Sequence, residues 1–135
     1  MRVVIDANVI VQLSLAGAEL GPLEGHHLIA PPIMASEVTS TLCEMTFRGE
    51  IPLDSARIAV ARLGTLPITY ERPDGLYERS WDLARRLGWA KSYDAEYVVL
   101  SMMTGSPLIT MDDRLRRGAG HLVDMPLITE LPAAR

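Results

Sequence analysis

Val3-Val4-Ile5-Asp6-Ala7-Asn8 is the stretch on which the reading of this chain turns. Three β-branched residues in a row form a strand, because branched side chains pack well on a pleated surface and restrict the helical alternative. The run is continuous rather than alternating, so both faces of the strand are expected to be covered, as in a parallel sheet. The apolar run stops at an acid. Either Asp6 or Asn8 then starts a helix that carries Val9, Ile10, Leu13 and Leu15 towards Ala18, with Gly21-Pro22 ending it.

The same grammar continues outward. Leu28-Ile29-Ala30 is a second short strand, and Pro31-Pro32 stops it and opens a helix running to about Phe47. Met34, Val38, Leu42 and Met45 form the apolar stripe of that helix. A further helix spans Pro52 to Leu63, with Ala56, Ala59, Val60 and Leu63 on its buried side. Leu66 to Tyr70 is a strand tempered by Pro67, and Pro73-Asp74 introduces a helix whose core side holds Leu76, Trp81, Leu83, Ala84 and Leu87. Gly88 closes it. Ser92 is the expected N-cap of the next helix, with Asp94 in its first turn. Leu108 to Thr110 is a strand, Met111-Asp112 leads into a brief helix around Leu115, and Gly118-Ala119-Gly120 ends it. The tail from His121 to Leu131 is expected to add one edge strand, made irregular by Pro126.

Strands separated by helices predict an α/β chain with a short, mostly parallel sheet flanked by helices on both faces. Crossovers should be right-handed, and ligands should bind outside the carboxyl ends of the strands. A length of 135 residues, without repeats or a low-complexity linker, fits one domain over residues 1–135.

Composition narrows the class. Hydrophobic residues make up 48% of the chain and aromatics only 5%, so the core is expected to be aliphatic. The single cysteine, Cys43, excludes an internal disulfide and suits a reducing, cytoplasmic setting. The opening apolar run ends at Asp6, too soon for a signal peptide or a membrane span. A net charge of −4 argues against a simple nucleic-acid-binding module, since backbone phosphates attract Lys and Arg. It argues less against a nuclease whose acidic pocket is neutralised by metal. Two basic clusters, Arg85-Arg86 with Lys91 and Arg114 with Arg116 and Arg117, either carry phosphates or form solvated helix surfaces.

The acids carry the chemistry. Asp6 and Asp112 follow strands, and both fall at the carboxyl edge if the strands are parallel. Glu37 lies one turn into its helix, off the Met34–Val38 stripe, and Asp94 lies in the first turn of a sharply apolar helix. Clustered carboxylates raise one another's pKa, and a hard cation removes that penalty. Oxygen ligands without a His–Cys pattern favour Mg²⁺ or Mn²⁺ over zinc. The reaction that fits is phosphodiester hydrolysis by water. Each acid taken alone also reads as a cap, a dipole partner or solvated surface.

Four segments together resemble the PIN-domain family, most closely its VapC-type toxins: Val3-Val4-Ile5-Asp6-Ala7-Asn8; Pro31 to Leu42 with Ser36-Glu37-Val38; Tyr93-Asp94-Ala95; and Leu108-Ile109-Thr110-Met111-Asp112. The resemblance implies a PIN-like three-layer fold and metal-dependent endoribonuclease activity. It also implies a cognate antitoxin that blocks the pocket, and homodimers. It carries catalytic and metal-binding roles onto Asp6, Glu37, Asp94 and Asp112, and supporting roles onto Asn8 and Thr110. Asp113 ranks behind Asp112, assisting through water or facing solvent.

Other residues read more plainly. His26, His27 and His121 are loop or packing residues, and Cys43 is a small buried residue. Trp81, Trp89 and the tyrosines are assigned to core or dimer packing, with stacking on RNA bases as the alternative. Three rivals stay open. One is an RNA-processing nuclease without a toxin role. Another is a phosphatase using Asp6 as nucleophile, weakened because Asp6-Ala7-Asn8 lacks a second acid two positions on. The third is a non-enzymatic partner-binding protein. No P-loop signature is present.

Overall fold

The computed structural model describes residues 1–17 and 20–134. Four strands, β1 (Arg2–Ile5), β2 (His27–Ala30), β3 (Ile68–Tyr70) and β4 (Leu108–Ile109), pair in the order β3-β2-β1-β4, all in parallel. Helices α1 (Ala7–Ala16), α2 (Met34–Phe47), α3 (Leu53–Leu63), α4 (Leu76–Leu87), α5 (Tyr93–Thr104) and α6 (Asp113–Ala119) connect and follow them.

Val3, Val4 and Ile5 are all fully buried, as are Leu28, Ile29 and Ala30. Successive strand residues point to opposite faces, so the two central strands are covered on both sides. That makes three layers, the α/β arrangement expected. Helices α1, α2 and α3 pack on one another, while α5 lies against β1 and β4 and carries α4 on it. The strand order also locates the site. The chain runs from β1 to β2 to β3 in one direction and returns to place β4 on the other side of β1. The order therefore reverses between β1 and β4, and a crevice opens at their carboxyl ends.

The structure corrects several local expectations. Helix α1 ends at Ala16 with Gly17 in the left-handed region at φ 99, ahead of Gly21-Pro22, and its expected extension to Ala18 lies outside the described residues. Trp81 is 60% exposed rather than in the core, because the buried stripe of α4 is Leu76, Ser80, Leu83 and Ala84, and the indole sits off that stripe beneath the Arg85 guanidinium. Cys43 is exposed for the same reason, one residue round the helix from buried Leu42. Val60 is also exposed, beside the buried Ala56 and Ala59. Ser92 precedes α5 without a side-chain capping bond.

The tail from His121 to Leu131 forms no strand among the described residues. It touches the sheet through one backbone bond, Leu108 N–H to Asp124 C=O, and ends in a 3₁₀ turn over Ile128–Glu130. Pro126 has no N–H to extend a ladder. Leu122, Val123, Met125, Ile128 and Leu131 pack partly against the core instead. Among the described residues no helix is long and apolar enough to cross a membrane.

A candidate metal centre at four helix starts

The acids singled out in the sequence meet at the crevice. Asp6, Glu37, Asp94 and Asp112, with Asn8, Gln12 and Thr41, line one cavity of about 270 Å³. Each acid stands at the start of a different helix. Asp6 caps α1, Asp112 caps α6, and Glu37 and Asp94 lie in the first turns of α2 and α5. Helix N-termini carry partial positive charge, so four of them directed at one crevice offset part of the carboxylate repulsion.

Local pairing explains why the first and last acids meet. Asp6 N–H donates to Ile109 C=O at 3.0 Å, which sets the end of β1 beside the end of β4. Thr110 then faces Asp6, and its Oγ1 donates to Asp6 Oδ2 at 2.7 Å. Ala7 N–H donates to Asp6 Oδ1 at 2.8 Å. Thr110 Oγ1 also accepts from Asp112 N–H at 3.0 Å, and Asn8 Oδ1 accepts from Met111 N–H at 3.2 Å. These bonds tie the Asp6 and Asp112 turns into one rigid unit. Asp112 Oδ1 accepts from the N–H groups of Arg114 and Leu115, at 2.9 and 3.3 Å.

Burial decides the electrostatics. Asp6 is 5% exposed, and desolvation pushes its carboxyl up to about 6 against the pull of Thr110 and Ala7, with Asp94 and Glu37 raising it further. Burial also raises Glu37, opposed by its bond from Tyr97, and raises Asp94, with Asp112 adding to the rise and Arg114 opposing it. Such a site disfavours its own negative charge until a cation arrives.

Two residues that sequence reading passed over belong here. The Tyr97 hydroxyl donates to Glu37 Oε1 at 2.7 Å from a fully buried ring, and its own ionisation is pushed far up. Glu96 is buried two positions after Asp94, and burial together with Glu37 raises it. The available signal was polar groups inside the apolar run of Tyr93-Asp94-Ala95-Glu96-Tyr97-Val98-Val99-Leu100, where burial requires partners.

The donor set is all oxygen, which suits a hard divalent cation. Among the described residues no three His, Cys, Asp or Glu side chains close a ready-made cage around one ion. The acids instead face an open crevice, the kind of site in which magnesium keeps several water ligands.

The basic clusters divide. Lys91 and Arg114 line a second cavity that shares Asp94 and Asp112 with the acidic crevice. Arg85 stacks on Trp81, and Arg86 pairs with Asp82 at 2.5 Å in a separate cavity with Arg79 and Met102. Arg116 donates to Thr110 C=O at 2.9 Å and pairs with Asp113, which faces solvent, while Arg117 is exposed on α6. Of the histidines, His26 reaches Pro132 C=O at 2.9 Å and His27 reaches Thr69 Oγ1 at 3.0 Å, both away from the crevice.

Comparison with known proteins gives a consistent set of likenesses. The family model of the PIN domain matches residues 3–120. Over 114 residues the chain is 29% identical to VapC ribonuclease Mb0985 of Mycobacterium bovis, covering 84% of this chain and 87% of that protein. Over 130 residues it is 29% identical to ribonuclease VapC12 of Mycobacterium tuberculosis, covering 93% and 98%. The crystal structure of PAE2754 from Pyrobaculum aerophilum superposes with a TM-score of 0.71 at 18% identity, covering 97% of this chain and 92% of that one, a likeness of fold.

Proposed function

Because the chain belongs to the PIN domain family, we propose that it is a single-domain, Mg²⁺-dependent endoribonuclease, with Mn²⁺ able to substitute, and the toxin of a toxin–antitoxin pair. The observation that carries this is the convergence of Asp6, Glu37, Asp94 and Asp112 on one crevice at the reversal of strand order. The ribonuclease names of the relatives, matched over most of their length, support RNA as substrate and the toxin role. In this reading the protein acts in the cytoplasm, a cognate antitoxin covers the crevice, and two copies form a homodimer.

Asp6, Asp94 and Asp112 would hold the ion, with Glu37 binding a second ion or orienting water. When bound, the metal supplies positive charge that activates water and stabilises negative charge developing on the phosphoryl oxygens. The chain's own residues prepare that chemistry. Thr110 and Ala7 fix the orientation of the Asp6 carboxylate, leaving its other lone pairs for the ion. Tyr97 holds Glu37 in place. Lys91 and Arg114, at the edge of the acids, attract the phosphodiester that the acids alone would repel.

The test is cleavage of total cellular RNA by purified protein, with Mg²⁺, with Mn²⁺ and with chelator. Discrete internal cuts that need the metal and disappear in Asp6→Asn and Asp94→Asn are expected. Undiminished, metal-independent cleavage by both variants would end the assignment. Induced expression separates the toxin role from RNA processing: wild type should arrest growth and Asp94→Asn should not.

A further inference from the structure

A cavity of about 490 Å³ adjoins the acidic crevice, lined by Trp89, Lys91, Asp94, Asp112, Arg114 and Leu115. We infer that it is the subsite for one nucleotide next to the scissile phosphate, with the base packed on Trp89 and its phosphate held by Lys91 and Arg114. This rests on the ribonuclease reading and names the contact that would seat the RNA.

The fold fixes Trp89 at this place. Gly88 terminates α4 at φ 72, Gly88 N–H donates to Arg85 C=O at 3.2 Å, and Trp89 N–H donates to Ala84 C=O at 2.8 Å. This paired closure sets the direction in which the chain leaves the helix. On the other side the indole rests against Gly118 of α6, where an added Cβ would lie 3.2 Å from Trp89 Cζ2. The backbone of Trp89 is thus anchored on the end of α4 and its indole packs against α6 and the core, while Trp89 still lines the cavity.

The surrounding residues complete the case. The α4–α5 corner delivers Trp89, Lys91 and Asp94 within six residues, and the start of α6 delivers Asp112 and Arg114. A cavity with an aromatic wall, two cations and a shared border of carboxylates suits a ligand with a flat apolar body and an anionic tail. A nucleotide has both. Aromatic stacking is indifferent to base identity, so the contact predicts a positional requirement for a base rather than a sequence code.

The test uses wild-type protein and a short RNA spanning a mapped cut, with the base removed at one flanking position at a time. One position beside the cut should lose roughly 5- to 150-fold in kcat/KM. Trp89→Ala should show the same loss on intact RNA and no additional loss on the abasic RNA, whereas Trp89→Phe should retain most activity. Binding gives a second readout. In Asp6→Asn/Trp81→Phe protein Trp89 is the only remaining tryptophan of the two in the chain. Its fluorescence should be quenched by RNA and not by a base-free oligomer of equal length. A flat abasic scan, additive losses in Trp89→Ala, or equal quenching by both oligomers would overturn the subsite. If wild type cuts no RNA, the ribonuclease reading fails, and the quenching comparison still decides whether this cavity takes a base.

Discussion

Thr110 Oγ1 donates a 2.7 Å hydrogen bond to Asp6 Oδ2 across 104 positions of sequence, and the same oxygen accepts from Asp112 N–H. One hydroxyl therefore orients two acids of the crevice. Thr110→Val keeps the shape of the side chain and removes both bonds. It should raise the Mg²⁺ concentration needed for half-maximal cleavage by roughly 10- to 100-fold, as loss of an orienting partner typically does. Thr110→Ser should stay near wild type. Magnesium titrations of the three proteins check this, and an unchanged Mg²⁺ requirement in Thr110→Val would remove Thr110 from the supporting set.

Burial of Asp6 makes a stability prediction of unusual sign. Its carboxyl ionises near 6 in the folded chain, above the ordinary value of 3.8. The folded state therefore binds this proton more tightly than the unfolded state. The stabilisation is fully present below about pH 4 and is lost as pH rises through 6, a change of roughly 3 kcal/mol for this group. Metal-free Asp6→Asn should thus be more stable than metal-free wild type at pH 7.5, although inactive, and its advantage should vanish near pH 4. Mg²⁺ should close the gap at pH 7.5 by stabilising wild type. Urea unfolding with chelator at the two pH values measures it; parallel behaviour of the two proteins would show that Asp6 carries no such penalty.

How much of this was legible beforehand follows from what each signal encodes. The β-branched run at Val3-Val4-Ile5 announces a buried strand because its side chains have nowhere apolar to go except two covered faces. Acids placed directly after such strands are legible as edge residues for the same reason. Apolar content alone misplaced Trp81 and Cys43, because each sits about 100° round the helix from a residue that is buried. The division of the basic clusters was beyond reach of spacing. Lys91 lies in the α4–α5 connection and Arg114 in the first turn of α6, and they meet only because α5 and α6 start at the same crevice.

Tyr97 tests the inner wall of the site. Its hydroxyl holds Glu37 at 2.7 Å and lowers a carboxyl that burial otherwise raises. Tyr97→Phe removes that bond without opening a cavity, so about 1–2 kcal/mol of stability should be lost. Glu37 should then ionise at higher pH. If Glu37 must be charged for cleavage, the acid limb of the pH–rate profile moves up in Tyr97→Phe. A profile superimposable on wild type would leave the bond as scaffolding alone.

Asp112 has two duties, and two substitutions separate them. Its Oδ1 accepts from Arg114 and Leu115 N–H at the start of α6, while the carboxylate also lines the crevice. Asn at this position retains an oxygen for the cap but loses the charge that would hold a cation. Ala loses both, and loss of such a cap costs about 1 kcal/mol. Both variants should abolish Mg²⁺-dependent cleavage. Only Asp112→Ala should also show a lower unfolding midpoint without metal, because α6 and the Arg114 it carries depend on the cap. Equal stability of the two variants would mean that the cap contributes little, and residual cleavage by Asp112→Asn would move the ion away from Asp112 towards Asp6 and Asp94.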